Sequence, residues 1–528
     1  MKNFKNIMTF KCSSKLVGYI LGLTLAIIIT GFTRLQLING YPETDGGFYT
    51  YLTQFIFSLL SNGENLPGNM PIGLYPLITS WVYSLQVDQY IMLRIIDLFV
   101  AIFASFLFFK VILKESGSIL FTLVVLIPLL MIMNDIEFVG SGFKNSIWIA
   151  YVPLFAALLL WQNSKKEDNF TFYFIGALTA LGVLFREPFL VFFIVGGISI
   201  WIAYGWKNLL KYLIGTAILG FTITGIAVYL RGGDVVGLIN SYINIDKKTA
   251  DVSEGIVKSL FFHSGMIVLK KNIFITITAL ISVIYITLLV SQKKIKTNRC
   301  LFWLSISFIP LLEPAFKFSF PYHFASCIPG LAGLSALGWK LSSINQTKQF
   351  CKYLKGVLCI SSILIIYPNL NNVVKEKNII SITDAYNMVY RDRIFRNEEN
   401  VTNSNYLIFA KTIFENSRAD STLTISGQMH ALFPLTGMLP PNYLITDLRD
   451  LFSILNFNEA LFIKKIKEYQ PTLLMVIADG TIRGESELPR LIKETKLYEK
   501  IAIIPYSESI NYGWKHGSIY RLKTFNKE

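Results

Sequence analysis

Charge is what this sequence has least of. Of its 528 residues only 16% are Asp, Glu, Lys or Arg, where a soluble chain carries about a quarter. That shortage excludes an ordinary cytosolic enzyme. An apolar share of 53% with a mean hydropathy of +0.49 excludes intrinsic disorder. Cysteine is scarce as well. Cys12, Cys300, Cys327, Cys351 and Cys359 form no CxxC pair, and none falls after residue 371. Neither a disulfide framework nor a thiolate zinc site is expected. A GxGxxG loop, a P-loop and an internal repeat are all missing, so no nucleotide-binding fingerprint is present.

What the chain has instead is apolar runs. Eleven read as membrane spans: roughly 16–36, 89–113, 117–133, 145–162, 169–185, 188–205, 212–230, 273–291, 300–313, 321–341 and 354–369. The first is not a cleaved leader, because Arg34-Leu-Gln-Leu follows it rather than small residues. The net charge of +15 does not point to nucleic acid. Residues 371–528 hold 20 basic and 18 acidic residues, so the excess lies among the apolar runs. With the N-terminus inside, the cytoplasmic segments carry 18 basic residues against three acids, Glu115, Glu167 and Asp168. This is the positive-inside pattern.

Residues 72–86 are apolar but short. If they spanned, the basic loops would face outward, so they are placed at the membrane surface, with Tyr75, Trp81 and Tyr83 at interfacial depth. The expected fold is therefore a multi-pass helical membrane protein. It has a transmembrane part over 1–370 and an extracytoplasmic α/β domain over 371–528. In that domain 422–426, 473–477, 501–504 and 518–522 read as strands. Residues 403–416, 458–469 and 486–496 read as helices, with Asn458 and Ser486 as caps. Alternating strands and helices favour a partly parallel sheet.

Four loops and one span carry candidate chemistry. After the first span comes Gly40-Tyr-Pro-Glu43-Thr-Asp45-Gly-Gly-Phe-Tyr49. Paired acids at a lipid interface suit hydroxyl activation, since partial burial raises a carboxylate's pKa toward its working pH. A solvated Pro/Gly turn would account for the same residues. Asp135 and Glu137, after the third span, make an acid-x-acid pair that can hold Mg or Mn, if a cation is used, or can simply be solvated. Arg186, in Arg186-Glu187-Pro188, sits in a hairpin too short to leave the surface, where it can meet a lipid phosphate or merely offset Glu187. Lys317 and His323 lie in the loop before the tenth span. Arg94 and Asp97, one turn apart within the second span, read as a self-neutralising pair. Topology puts Asp45, Asp135, Arg186 and Lys317 on one membrane face, and the tail on that same face.

These residues resemble the GT-C glycosyltransferases that use polyprenyl-phosphate sugars, in particular the protein mannosyltransferase and aminoarabinose transferase branch. The resemblance lies in the first outer loop (Glu43, Asp45, Tyr49), in Asn69-Met70-Pro71-Ile72-Gly73-Leu74-Tyr75-Pro76, and in Gly176–Phe185 leading into Arg186-Glu187-Pro188. It also lies in the appended domain with its Gln470-Pro471-Thr472-Leu473-Leu474 strand entry. It implies inverting transfer outside the cytoplasm, in the plasma (inner) membrane, from a lipid-phosphate donor to an extracytoplasmic acceptor. Asp45 matches the catalytic acid of the first loop, and Asp135 and Glu137 match the second-loop acidic motif. That motif binds a metal in the oligosaccharyltransferase branch. Met70 departs from the basic residue that several relatives carry before the proline, and Arg186 is its first substitute for phosphate contact. Substrate contact is expected from Tyr49, Arg186, Lys317 and His323.

Three other classes compete. A flippase of lipid-linked sugars would share the many spans, but no paired halves of matching hydropathy are visible. An O-antigen or capsule polymerase would use a lipid-linked oligosaccharide. A non-catalytic assembly protein would use the outer domain to bind a partner.

Overall fold

The computed structural model describes residues 14–31, 44–66, 73–85, 89–133, 145–168, 170–186, 189–239, 276–287, 298–312, 326–344, 405–426, 432–441, 459–477, 488–505 and 516–524, with single positions such as 34, 324 and 430. Within these limits the chain is a bundle of apolar helices followed by a small mixed sheet.

Helix α1 (Ser14–Leu25) runs into a π-helical turn at Ala26–Thr30. Helix α2 (Thr44–Ser61) and the short α3 (Leu74–Thr79), with its 3-10 turn Ser80–Ser84, precede the long α4 (Gln89–Ser116). Then come α5 (Ile119–Met133), α6 (Asn145–Asn163), α7 (Thr171–Phe185), α8 (Leu190–Tyr204) and α9 (Trp206–Tyr229). Helices α10 (Thr276–Thr287), α11 (Asn298–Phe308) and α12 (Ile328–Ile344) complete the bundle. Ten of the expected apolar runs thus fall on helices, and the run at 354–369 lies outside the described residues. The short α3 and its 3-10 turn are six and five residues long, far from the ~20 that a crossing needs.

One element departs from the expectation. The sequence reading treats 37–88 as one outer loop, whereas 44–61 form α2. The signal was present in Tyr51, Leu52, Phe55, Ile56 and Leu59, spaced along one helical face and buried.

Helices α4 and α9 are long and apolar enough to cross a membrane. The bundle interior is aromatic: Phe108 stacks on Phe155 at 4.9 Å, Tyr151 on Phe155 at 5.0 Å, and Trp161 meets Phe302 at 4.5 Å. Its outside is apolar too. Only 11% of the apolar window of α9 is buried, and Phe221 is 78% exposed.

Helices α7 and α9 run parallel and touch backbone to backbone. Thr216 Oγ1 donates to the Gly176 carbonyl at 3.1 Å, and a Cβ at Gly176 or Gly215 would overlap the carbonyl oxygen of Tyr212 or Tyr173. Small residues permit such an approach. Gly215→Leu is therefore expected to cost about 1–3 kcal/mol or more by overpacking. Gly220→Leu on the same helix, where a Cβ meets nothing within 4 Å, should be harmless. Thermal unfolding of the two purified variants checks the contrast.

The tail follows the pattern read from its sequence. Helix α13 (Asn405–Glu415) leads to β1 (Leu423–Ser426), the short α14 (Leu432–Thr436), α15 (Glu459–Tyr469) and β2 (Leu473–Ile477). Helix α16 (Leu488–Thr495), β3 (Tyr498–Pro505) and β4 (His516–Leu522) follow. The sheet order is β1-β2-β4-β3, with β1 parallel to β2 and the other pairs antiparallel. Alternation along β2 feeds two cores. Leu473 and Met475 join Phe409 and Ile413 of α13, while Leu474 and Val476 join Ile466 of α15 and Ile492 of α16. The first of these cores also contains the buried face of α2.

Candidate functional site

The site begins with a buried ion pair. Asp97, in the third turn of α4, bonds Arg34 from the end of the first apolar segment, and both are buried. This corrects the expectation that Arg94 neutralises Asp97 one turn away. The cause is geometric: the end of the first apolar segment packs beside α4, bringing a guanidinium 63 positions away in sequence onto the carboxylate. Arg34 also lies over the Trp148 ring, 5.0 Å from its centroid, and Trp148 belongs to the first turns of α6. These three helical segments therefore meet around Arg34.

Arg186 is at the same end. Helices α6 and α7 form an antiparallel hairpin in which a Cβ at Gly182 would lie 3.4 Å from the Ala150 carbonyl oxygen. Arg186, one turn beyond Gly182, is thus level with the start of α6. Its backbone is extended, as the residue two before Pro188 leaves the helix, and its side chain is buried. The parallel α9 ends here as well. Its Leu230 carbonyl accepts the Leu66 N–H at 2.8 Å, and the next residue, Arg231, is buried and donates to the Ala227 carbonyl at 3.0 Å. Among the described residues the buried arginines are Arg34, Arg94, Arg186 and Arg231, and all four sit at this end. A guanidinium is a forked donor whose geometry matches a phosphate.

The opposite end is built differently. Glu115, fully buried at the end of α4, accepts from Gln162 Nε2 at 3.0 Å and faces Arg299 at 3.5 Å. Asn208 Nδ2 donates to the Lys166 carbonyl at 3.1 Å, tying the start of α9 to the α6–α7 loop. That end carries Lys165, Lys166, Lys207 and Lys211, the residues that the charge bias assigns to one side.

Of the residues singled out in the sequence, Asp45 stands in the first turn of α2. Tyr49, one turn on, meets Tyr75 edge to face at 6.3 Å, so the first loop and the short α3 are in contact. Glu43, Asp135, Glu137, Lys317 and His323 lie outside the described residues. Among the described residues no three His, Cys, Asp or Glu side chains gather to hold a metal ion. Sequence reasoning missed Arg34 and Arg231. Only their place at the ends of apolar runs could have marked them.

Inside the bundle, Leu154, Leu158, Ile175, Thr179, Phe192 and Phe302 line part of a small apolar gap of about 20 Å³, room for little more than one water molecule.

No protein-family model matches the chain, and no curated protein matches it.

Proposed function

We propose that the protein is a multi-pass membrane glycosyltransferase with about eleven spans and an extracytoplasmic C-terminal domain. It moves a sugar from a polyprenyl-phosphate donor to an extracytoplasmic acceptor with inversion. The observation that carries the reading is that the four buried arginines among the described residues lie toward one end of their helices, away from the lysine-bearing end. The apolar outside of α9 supports a lipid surrounding.

In this reaction the polyprenyl phosphate is already a good leaving group, so the protein needs no strong acid on its side. Asp45 takes the proton from the acceptor hydroxyl. The freed oxygen attacks the anomeric carbon from the face opposite the phosphate, and the bond from that carbon to the phosphate oxygen breaks. The arginines stabilise the negative charge that grows on the departing phosphate. The products are the glycosylated acceptor, the polyprenyl phosphate and a protonated Asp45, which returns its proton to water.

The test is donor profiling. Membranes containing the protein are incubated with radiolabelled polyprenyl-phosphate sugars and, separately, with the matching nucleotide sugars. Label is expected to reach envelope acceptors from the lipid donors alone, with release of polyprenyl phosphate. No transfer from any lipid donor, together with movement of intact donor across proteoliposome membranes, would show a carrier instead.

A further inference from the structure

We infer that Tyr51 is a positioning residue through which the C-terminal α/β unit holds α2, and with it Asp45, in place. The catalytic consequence rests on the reading of Asp45 as the base; the mechanical coupling stands on contacts alone.

Helix α2 starts with Thr44-Asp45-Gly46-Gly47, and its two glycines disfavour helix. Most of a helix's stability in a protein comes from packing of its apolar face. Its buried face does not enter the main core of the bundle. Tyr51, Leu52, Phe55 and Ile56 share one core with Leu423 and Ile425 of β1. Tyr51 is the centre of that contact. Its ring stacks on Phe433 of α14 at 4.4 Å and on His430 at 6.2 Å, and it is fully buried.

On its other side α2 meets the short α3 and its 3-10 turn. Tyr83 Oη donates to the Thr50 carbonyl at 3.1 Å, Phe57 lies 6.3 Å from the Tyr83 ring, and Tyr49 meets Tyr75. All of these partners belong to α3 and its 3-10 turn rather than to the long helices.

Tyr51 has no role of its own in proton transfer. Burial pushes its phenol well above the ordinary range, so it stays neutral, and among the described residues its hydroxyl has no hydrogen-bond partner. What it offers is a ring between two segments. Asp45 lies six residues before it, about 9 Å along the helix axis, so a helix that frays without this stack frays at the acid.

The experiment is hydrogen exchange on the full chain, read over peptides covering 44–61. Tyr51→Ala, and Phe433→Ala from the tail side, should each speed exchange there at least tenfold. Tyr51→Phe keeps the ring and should exchange like the wild type. So should Ile492→Ala, which damages the opposite face of the sheet. If Tyr51→Ala does not accumulate, Phe433→Ala decides the matter. With the active lipid donor, Tyr51→Ala should lower kcat about tenfold or more at unchanged donor KM, and Tyr51→Phe should restore it. Unchanged exchange over 44–61 in the alanine variants would overturn the inference. So would exchange in Tyr51→Phe as fast as in Tyr51→Ala. The exchange result decides the coupling whether or not transfer is observed, so failure of the glycosyltransferase reading would be seen separately.

Discussion

Asp45→Asn is expected to lower sugar transfer by about 100- to 10,000-fold, the usual loss when positioned proton transfer is removed. Asn keeps the size and shape of the carboxylate but cannot take a proton from the acceptor hydroxyl. Asp45 stands in the first turn of α2, where losing the carboxylate's favourable interaction with the helix dipole costs only about 0.3–1 kcal/mol, so the fold should survive. Donor binding, measured with a lipid-phosphate sugar held in detergent, should change little, because the phosphate is assigned to the arginines. The loss should therefore appear in kcat. Glu43→Gln should be milder if Glu43 only orients the loop. Full activity in Asp45→Asn at normal protein level would remove Asp45 from the mechanism and move the assignment to Glu43 or Asp135.

Asp97→Ala should be the most damaging single change to stability outside the helix crossings. It leaves Arg34 as a buried charge without its carboxylate, and breaking one half of a buried pair costs about 3–5 kcal/mol. Replacing both partners by apolar residues of similar volume, Arg34→Met with Asp97→Leu, should recover most of that loss, because the uncompensated charge is gone. Thermal unfolding of the single and double variants measures the difference. The double variant separates two roles of Arg34. If the guanidinium also meets the donor phosphate, the protein will be folded and deficient in transfer. A single Asp97→Ala variant as stable as the wild type would show that the pair contributes nothing to the fold.

The pairing of Arg34 with Asp97 shows where sequence reasoning reached its limit. Periodicity and charge bias report on neighbours along the chain. They located most helices of the bundle and all four strands of the tail, the strands to within three residues at either end. The parallel β1–β2 pair was legible because α15 stands between its strands. A partner 63 positions away is invisible to such rules, and the nearer Arg94 was the natural substitute. The same reason explains α2. Its apolar face reads as part of a loop until the tail that buries it is folded beside it, and Gly46-Gly47 dilute the helical signal at its start. Most of the acids and bases read from the loops, Glu43, Asp135, Glu137, Lys317 and His323, lie outside the described residues. The part of the site that the structure describes is thus largely the arginine part, which the sequence had yielded only through Arg186 and Arg94.

The stack between Tyr51 and Phe433 also sets an order of events during synthesis. Phe433 leaves the ribosome roughly 380 residues after Tyr51. At about 5–20 residues per second, that is an interval of roughly 20 to 75 seconds. Throughout it, the bundle is being assembled while Tyr51, Leu52, Phe55 and Ile56 have no core to enter. The nascent chain therefore carries an apolar strip that must be sheltered, by a lipid surface or by a chaperone, until the last third of the protein arrives. A chain stopped short of β1 would keep that strip uncovered and would be a natural substrate for quality-control proteolysis.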